Sequence, residues 1–236
     1  MTRRRWIADE VSGNHAVLTG EHANHLVRVL RARVGQEFDI ATGTVVRCGR
    51  IAKISDGKVE FDLGEDVSAA PILDLTLLLA IIKFDRMEWA IEKCTELGVS
   101  RIVPVIARRT DSHLASAAIK RAERWRRIAL QASEQARRSS PPEIASPVKL
   151  SDAVGATTGK LRIVLAEAED QILLRDVLEP AAGEIALAFG PEGGWAQGEM
   201  QLFKEAGWIS ASLGNTILRA ETAAIAATAI TISELE

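Results

Sequence analysis

The sequence predicts an α/β protein, with a parallel-sheet domain over residues 71–236 preceded by a small β-rich domain over residues 1–70. Three observations carry this. Beyond residue 70, buried-strand patterns alternate with helical ones, as a parallel sheet with crossover helices requires. Before residue 70, the turn signals Thr42-Gly43 and Asp56-Gly57 punctuate short runs of β-forming residues. Between the two parts, Ser68-Ala69-Ala70-Pro71 is a natural boundary.

The β-rich part reads as short strands and turns, with strands expected over residues 36–41, 44–54 and 59–63. Residues 73–82 are a nearly unbroken apolar run, expected of a strand covered on both faces. Residues 85–97 place Met87, Ala90, Ile91, Cys94 and Leu97 on one helical stripe, and Gly98 is suited to end it. Residues 101–106 are strand-like. Ala118, Ala122, Trp125, Ala129, Ala132 and Ala136 form the seam of a long amphipathic helix. Its other face carries Lys120, Arg121, Arg124, Arg126 and Arg127, and Ser139-Ser140-Pro141-Pro142 is expected to stop it. Three more buried strands are expected over residues 161–166, 184–189 and 208–213, separated by helical segments near 173–178 and 197–206. Residues 217–233 close the chain as an Ala- and Ile-rich helix. It is apolar around most of its circumference, which implies burial on several sides, within one chain or against a second.

The 236 residues are 47% hydrophobic, enough for a sizeable core in one large or two small domains. No long uncharged apolar stretch precedes the closing helix, so no membrane span is expected. No apolar segment follows Arg3-Arg4-Arg5, so no secretory signal is expected. Cys48 and Cys94 lack metal or redox spacing, which argues for no bound metal and fits a reducing cytoplasm. The net charge of -3 is unevenly spread. Residues 101–138 hold ten Lys or Arg against three acids, and residues 139–236 hold six against fourteen. Local potential is what steers a polyanion, so a nucleic-acid partner stays open beside the plainer reading of a solvated helix face.

Two loops are candidates for chemistry. Phe189-Gly190-Pro191-Glu192-Gly193-Gly194-Trp195 joins an expected strand to an expected helix. Its glycines let a ligand approach the main chain, at the strand ends where α/β sheets bind ligands. A plain strand–helix turn is the alternative. The loop is neither a Walker A sequence nor a G-x-G-x-x-G fingerprint, so phosphate-centred chemistry has no support. The second loop is Leu213-Gly214-Asn215-Thr216-Ile217-Leu218-Arg219-Ala220-Glu221-Thr222. Its polar residues beside apolar sequence point to a ligand, or to capping by Thr216 with an Arg219–Glu221 surface pair.

These motifs resemble those of the SPOUT methyltransferases, and among them the ribosomal RNA small-subunit methyltransferase E (RsmE) family. The resemblance continues outside the loops. His22-Ala23-Asn24-His25-Leu26-Val27-Arg28-Val29-Leu30-Arg31 is similar to the family's H-x-x-V-L-R signature. The stretch from Lys83 to Gly98, with Arg86, Glu88, Lys93 and Glu96-Leu97-Gly98, is similar to K-x-x-R-x-E…K-x-x-E-L-G. Arg124-Trp125 with Ile128, and Glu134-Gln135 with Arg138, match R-W-x-x-I…E-Q-x-x-R. Arg108-Arg109-Thr110 departs from the family's more usual Glu-Arg-Ser, and Phe189 from its usual Ile.

The resemblance implies a PUA-like β-barrel that helps bind RNA, then a SPOUT domain with a trefoil knot. It implies an enzyme that uses S-adenosyl-L-methionine to methylate N3 of a uridine in 16S ribosomal RNA, within the small ribosomal subunit, as a cytoplasmic homodimer. The cofactor would lie against Leu165, Ala166 and Glu167; against Phe189, Gly190, Pro191, Glu192, Gly193 and Gly194; and against Leu213, Gly214, Ile217, Leu218, Arg219 and Thr222. Arg219 would hold the uracil and its developing charge, and Glu221 would orient Arg219 or accept a proton, with a structural ion pair as the alternative for both. Arg3, Arg4, Arg5, His25, Arg28, Arg31, Lys83 and Arg86 are the candidate RNA contacts. A SPOUT enzyme acting on ribose 2′-oxygens and a non-catalytic RNA-binding assembly factor are the competing functions.

Overall fold

The computed structural model describes residues 4–43, 45–67, 73–169, 171–178 and 183–235. Arg3, Thr44 and the Ser68–Pro71 boundary lie outside the described residues. The chain forms two compact units. One takes residues 1–71 together with 133–141, and the other takes residues 72–132 and 142–236.

The first unit is built on a six-stranded sheet. Its strands are β1 (Arg5–Ile7), β2 (Glu10–Ser12), β3 (His15–Thr19), β4 (Glu37–Ala41), β5 (Val46–Ser55) and β6 (Lys58–Val67), in the order β1-β4-β5-β6-β3-β2. Only the β1–β4 pair is parallel. Leu18, Ile40, Ile51, Val59 and Phe61 alternate inward and fill its core. Residues 20–29 correct the expectation of strands and turns throughout this part. They form a short helix, α1 (Gly20–Asn24), that continues as a wider helical turn over His25–Val29. Ala23, Leu26, Val27 and Leu30 recur at helical spacing and pack on the same core.

The second unit carries an all-parallel sheet. Its strands are β7 (Leu75–Ala80), β8 (Arg101–Ile106), β9 (Glu143–Ile144), β10 (Val148–Lys149), β11 (Leu161–Leu165), β12 (Ile185–Phe189) and β13 (Ile209–Ala211). The order is β10-β8-β7-β12-β11-β13, with β9 also on β8. Leu77, Leu79, Ile163, Ile185, Leu187 and Phe189 are buried on one side of it, and Leu78, Val164, Ala186 and Ala188 on the other. Burial on both faces is why these strands read as continuous apolar runs.

Helix α2 (Phe84–Leu97) buries the expected stripe of Met87, Ala90, Ile91 and Cys94. Gly98 ends it in the left-handed conformation, with φ of 114°. The long helix α3 (Ser112–Gln135) buries Ala118, Ala122, Trp125, Ala129 and Ala132. It ends before the Ser–Pro stretch expected to stop it, where Arg137 takes a left-handed φ of 57°. Its basic face is partly neutralised, since Glu88 on α2 accepts from Arg124 Nε at 2.7 Å and from Arg121 Nη1 at 3.2 Å. A helix not foreseen, α4 (Leu150–Ala156), follows β10. The short α5 (Leu174–Val177) and α6 (Gln197–Glu205) lie where expected.

The closing helix α7 (Ala220–Leu235) begins three residues later than the expected start at 217. Thr216 is therefore too far from it to be its N-cap, and residues 217–219 are irregular. The helix packs on α2, α5 and β12, with Ala224, Ala227, Thr228 and Thr231 buried. Thr228 Oγ1 donates to the Ala224 carbonyl at 2.7 Å, which satisfies a hydroxyl inside an apolar contact. Burial pushes the thiol of Cys94, beside it, up to about 12. Among the described residues no helix is long and apolar enough to cross a membrane, and no cluster of His, Cys, Asp or Glu has the makings of a metal site.

Candidate functional site

Strands β11, β12 and β13 end level with one another: Leu165 pairs in register with Phe189 on one side and with Ala211 on the other. Three loops therefore leave the sheet side by side at its C-terminal edge. They enclose a cleft of about 780 Å³ within the second unit. The topology places it where parallel sheets bind ligands.

The first wall is Leu165, Ala166 and Glu167, with Ala168 and Glu169 beyond them. The second is the glycine loop over residues 189–195, which its own side chains hold in shape. Trp195 Nε1 donates to the Leu165 carbonyl at 3.1 Å. The Gly194 N–H donates to the Pro191 carbonyl at 2.8 Å and closes a turn, and Gly194 itself takes a left-handed φ of 69°, which favours glycine. Gly190 is crowded, since a Cβ there would stand 3.3 Å from Trp195 Cε2 and the indole would have to give by a few tenths of an ångström. Arg109 donates to the Gly193 carbonyl and lies across its Cα. Just beyond, Glu199 is buried and accepts from the Ala196 N–H and the Arg108 N–H, both at 2.7 Å.

The third wall runs from Ser212 to Ala220 and is of a different kind. Among the described residues, no backbone N–H from Leu213 to Thr222 donates to protein. The N–H groups of residues 220–222 are the open first turn of α7, and those of residues 213–219 lie in a segment that lines the cleft, so a ligand or water can satisfy them. Ile217 is 80% exposed at its rim.

The cleft is lined by every expected cofactor residue except Thr222, which is exposed on the first turn of α7 outside the lining. The lining adds Met200 and Ser212, which carry no motif, and Arg109 and Trp195, which were named in the sequence but not expected at the cofactor. Trp195 carried a signal: an aromatic with a polar handle at the end of a glycine loop.

Arg219 and Glu221 do not meet. Arg219 directly precedes α7, is exposed, lines the cleft and has no ion pair among the described residues. Glu221 is 3% exposed and lies outside the lining, with its Oε1 3.6 Å from Arg86 Nε. The expected Arg219–Glu221 pairing is thus replaced by Arg86–Glu221. Residues two apart at a helix start point in nearly opposite directions.

The candidate RNA contacts fall in both units. In the first, Arg4, Arg28, Arg31 and His25 are exposed, with the His25 ring 5.7 Å from that of Trp6. Arg5 is half-buried and donates to the Arg137 carbonyl, which ties the returning segment to β1. His22 is engaged inside the unit, with Nε2 3.1 Å from Glu134 Oε1 and Nδ1 3.8 Å from Asp9 Oδ1. Burial pushes the Glu134 carboxyl above its usual range, with His22 acting against the shift and Asp9 with it. In the second unit Lys83 is exposed, whereas Arg86 is half-buried between Glu192 and Glu221.

Residues 68–232 match the model of an RNA methyltransferase domain, and residues 18–63 that of an RNA methyltransferase PUA domain. The ribosomal RNA small subunit methyltransferase E of Synechocystis is 33% identical, over 87% of this chain and 69% of that protein. Its namesake from Rickettsia conorii is 31% identical, over 96% and 93%. A crystal structure of ribosomal RNA small subunit methyltransferase E from Neisseria gonorrhoeae, bound to S-adenosyl methionine, superimposes with a TM-score of 0.87 at 27% identity. It spans 100% of this chain and 98% of the other.

Proposed function

The chain belongs to the ribosomal RNA small subunit methyltransferase E family, and from that premise we propose that it transfers a methyl group from S-adenosylmethionine to N3 of a uridine in 16S ribosomal RNA. The observation that carries this reading is the third wall of the cleft, with its run of unpaired main-chain donors facing a wall of prearranged glycines.

The residues fit the cofactor. A flat heteroaromatic base needs apolar walls with main-chain groups at its edge, and Leu165, Phe189, Leu213, Leu218 and Ala223 supply such walls. We take Leu165–Glu167, Phe189–Gly194, Leu213, Gly214, Ile217, Leu218 and Arg219 as the binding set, with Thr222 at its margin. When bound, the sulfonium supplies an electrophilic methyl group. The chain's own task is then to place uridine N3 in line with that methyl, and positioning accounts for most of the rate. Arg219 is the catalytic residue in this reading. Its unpaired guanidinium holds the negative charge that gathers on the uracil oxygens as N3 gives up its proton to a water molecule in the cleft. Glu221, buried behind the wall, acts through Arg86 and not on the substrate.

The first unit serves as the PUA-like RNA-binding domain, with Arg4, His25, Arg28 and Arg31 on phosphates or bases, and Lys83 adds a contact from the second unit. Strands β11–β13 and their loops form the trefoil knot, and two copies work as a cytoplasmic homodimer on the small subunit.

Calorimetry with S-adenosylmethionine and mapping of the methylated atom test the function. We expect saturable binding, and restoration of an N3-methyluridine in 16S rRNA from a strain lacking the gene. A methyl on a ribose 2′-oxygen would replace this reading with ribose methylation, and no binding heat would leave an RNA-binding assembly factor. Arg219→Ala is expected to hold cofactor affinity within a few-fold while turnover falls roughly 100-fold or more. Unchanged turnover removes Arg219 from the mechanism.

A further inference from the structure

Arg86 stands in the first turn of α2, where two carboxylates from separate loops converge on it. Nη1 is 3.6 Å from Glu192 Oε1 in the glycine loop, and Nε is 3.6 Å from Glu221 Oε1 at the start of α7. The Lys83 N–H, at the start of the same helix, lies 3.5 Å from Glu192 Oε1. No other ion pair or hydrogen bond among the described residues connects residues 189–195 with residues 213–222, so these two walls of the cleft are joined through one guanidinium. Glu221 depends on that guanidinium. Its side chain is buried and its second oxygen, Oε2, has no hydrogen-bond partner, so Arg86 is the cation that offsets its charge. Arg86 itself also lines the cleft.

We infer that Arg86 is a positioning residue, a clasp that sets the distance between the glycine loop and the α7 loop and thereby the fit of the cofactor between them. This rests on the reading of the cleft as the cofactor site. Two carboxylates engage the guanidinium, and the role inferred for Arg86 is inside the cleft walls instead of on RNA. Its planar fork suits two partners at once, whereas a lysine ammonium is a single point charge and replaces only part of the function.

The test uses the full chain with Arg86→Met, Arg86→Lys and Glu192→Gln. Three quantities are measured: amide hydrogen exchange without ligand, S-adenosylmethionine affinity, and the single-turnover methyl-transfer rate at saturating cofactor. The informative amides are Gly194, bonded to the Pro191 carbonyl, and Ala223, bonded to the Arg219 carbonyl. In Arg86→Met both are expected to exchange at least tenfold faster, with the cofactor Kd rising tenfold or more and the single-turnover rate falling as well. Arg86→Lys is expected to recover part of each. Glu192→Gln changes a partly exposed side chain, so it keeps its fold even if Arg86→Met does not. It is expected to speed Gly194 several-fold while leaving Ala223 near its original rate. Unchanged exchange at Gly194 in Glu192→Gln overturns the clasp, as does a Kd within twofold of the parent in both Arg86 variants. If the parent protein binds no S-adenosylmethionine, the cofactor reading fails, and the exchange rates alone still decide whether the clasp exists.

Discussion

The glycine loop over residues 189–195 and the loop over residues 213–219 leave the same edge of the same sheet, yet they are built in opposite ways. The first is held by its own bonds: Trp195 to the Leu165 carbonyl, Arg109 to the Gly193 carbonyl, Gly194 to the Pro191 carbonyl, and Glu199 closing the segment behind it. The second offers a run of main-chain donors with no protein partner among the described residues and an isoleucine in solvent. One wall is therefore preorganised, and the other has bonds still to make. A preorganised wall costs little ordering when a ligand arrives, while the unpaired donors provide the new interactions. Substitutions in the first loop should register mainly as lost stability, and ligand binding should register mainly in the second.

The largest expected effect is on the first loop. Glu199→Ala leaves the Ala196 and Arg108 N–H groups unpaired beside a buried site. The loss should be about 2–4 kcal/mol in denaturant unfolding. A cost under about 0.5 kcal/mol would mean that the loop does not depend on its side-chain bonds, and the contrast would collapse.

Ligand binding should come next. At a free concentration of 100 times Kd, S-adenosylmethionine should add about 2.7 kcal/mol to stability. Short-pulse hydrogen exchange should show its protection concentrated in residues 213–222, with little change at Gly194. Equal protection of both loops would show that the first is no better formed than the second before binding.

A smaller effect separates two glycines. Gly214 has a φ of 113°, and a Cβ there would touch nothing within 4 Å. Gly214→Ala should therefore cost only backbone strain, roughly 1–2 kcal/mol. Gly190→Ala must push on the Trp195 ring, so it should also disturb the indole bond to Leu165. A shift in tryptophan fluorescence is expected for Gly190→Ala and not for Gly214→Ala.

The contrast between the loops was only half legible in the sequence. Strands β7, β8, β11 and β12 show in it because burial on both faces demands unbroken apolar runs, and α2 shows because its stripe and Gly98 are local signals; β13, at the sheet edge with Ile209 exposed, is shorter than the buried strand expected over residues 208–213. The positions of both loops follow from those strands. Residues 20–29 were hidden by their brevity, since ten residues with two histidines among β-forming segments give too little periodicity. The start of α7 is not legible because residues 217–219 are compatible with a helix, yet they are irregular in the structure and line the cleft. The return of residues 133–141 to the first unit left no local trace, because it rests on contacts such as His22–Glu134 between distant segments. The ion pairs of Arg86 leave no local trace for the same reason, as both of its carboxylates come from far along the chain.

The smallest effect tests whether the first loop's bonds act singly or together. Trp195 packs against Phe203 with ring centroids 5.0 Å apart, and its Nε1–H reaches the Leu165 carbonyl at the end of β11. Trp195→Phe keeps an aromatic ring against Phe203 and removes the donor. A single neutral hydrogen bond contributes about 1 kcal/mol, and the carbonyl left behind faces a cleft that water can enter. The expected loss is therefore about 1 kcal/mol or less, with cofactor affinity falling only a few-fold, because Arg109, Glu192 and the Pro191–Gly194 turn still hold the loop. A loss approaching that of Glu199→Ala would instead mean that the indole bond is the keystone of the wall. The preorganisation would then reside in one contact between β11 and the glycine loop, and not in the set.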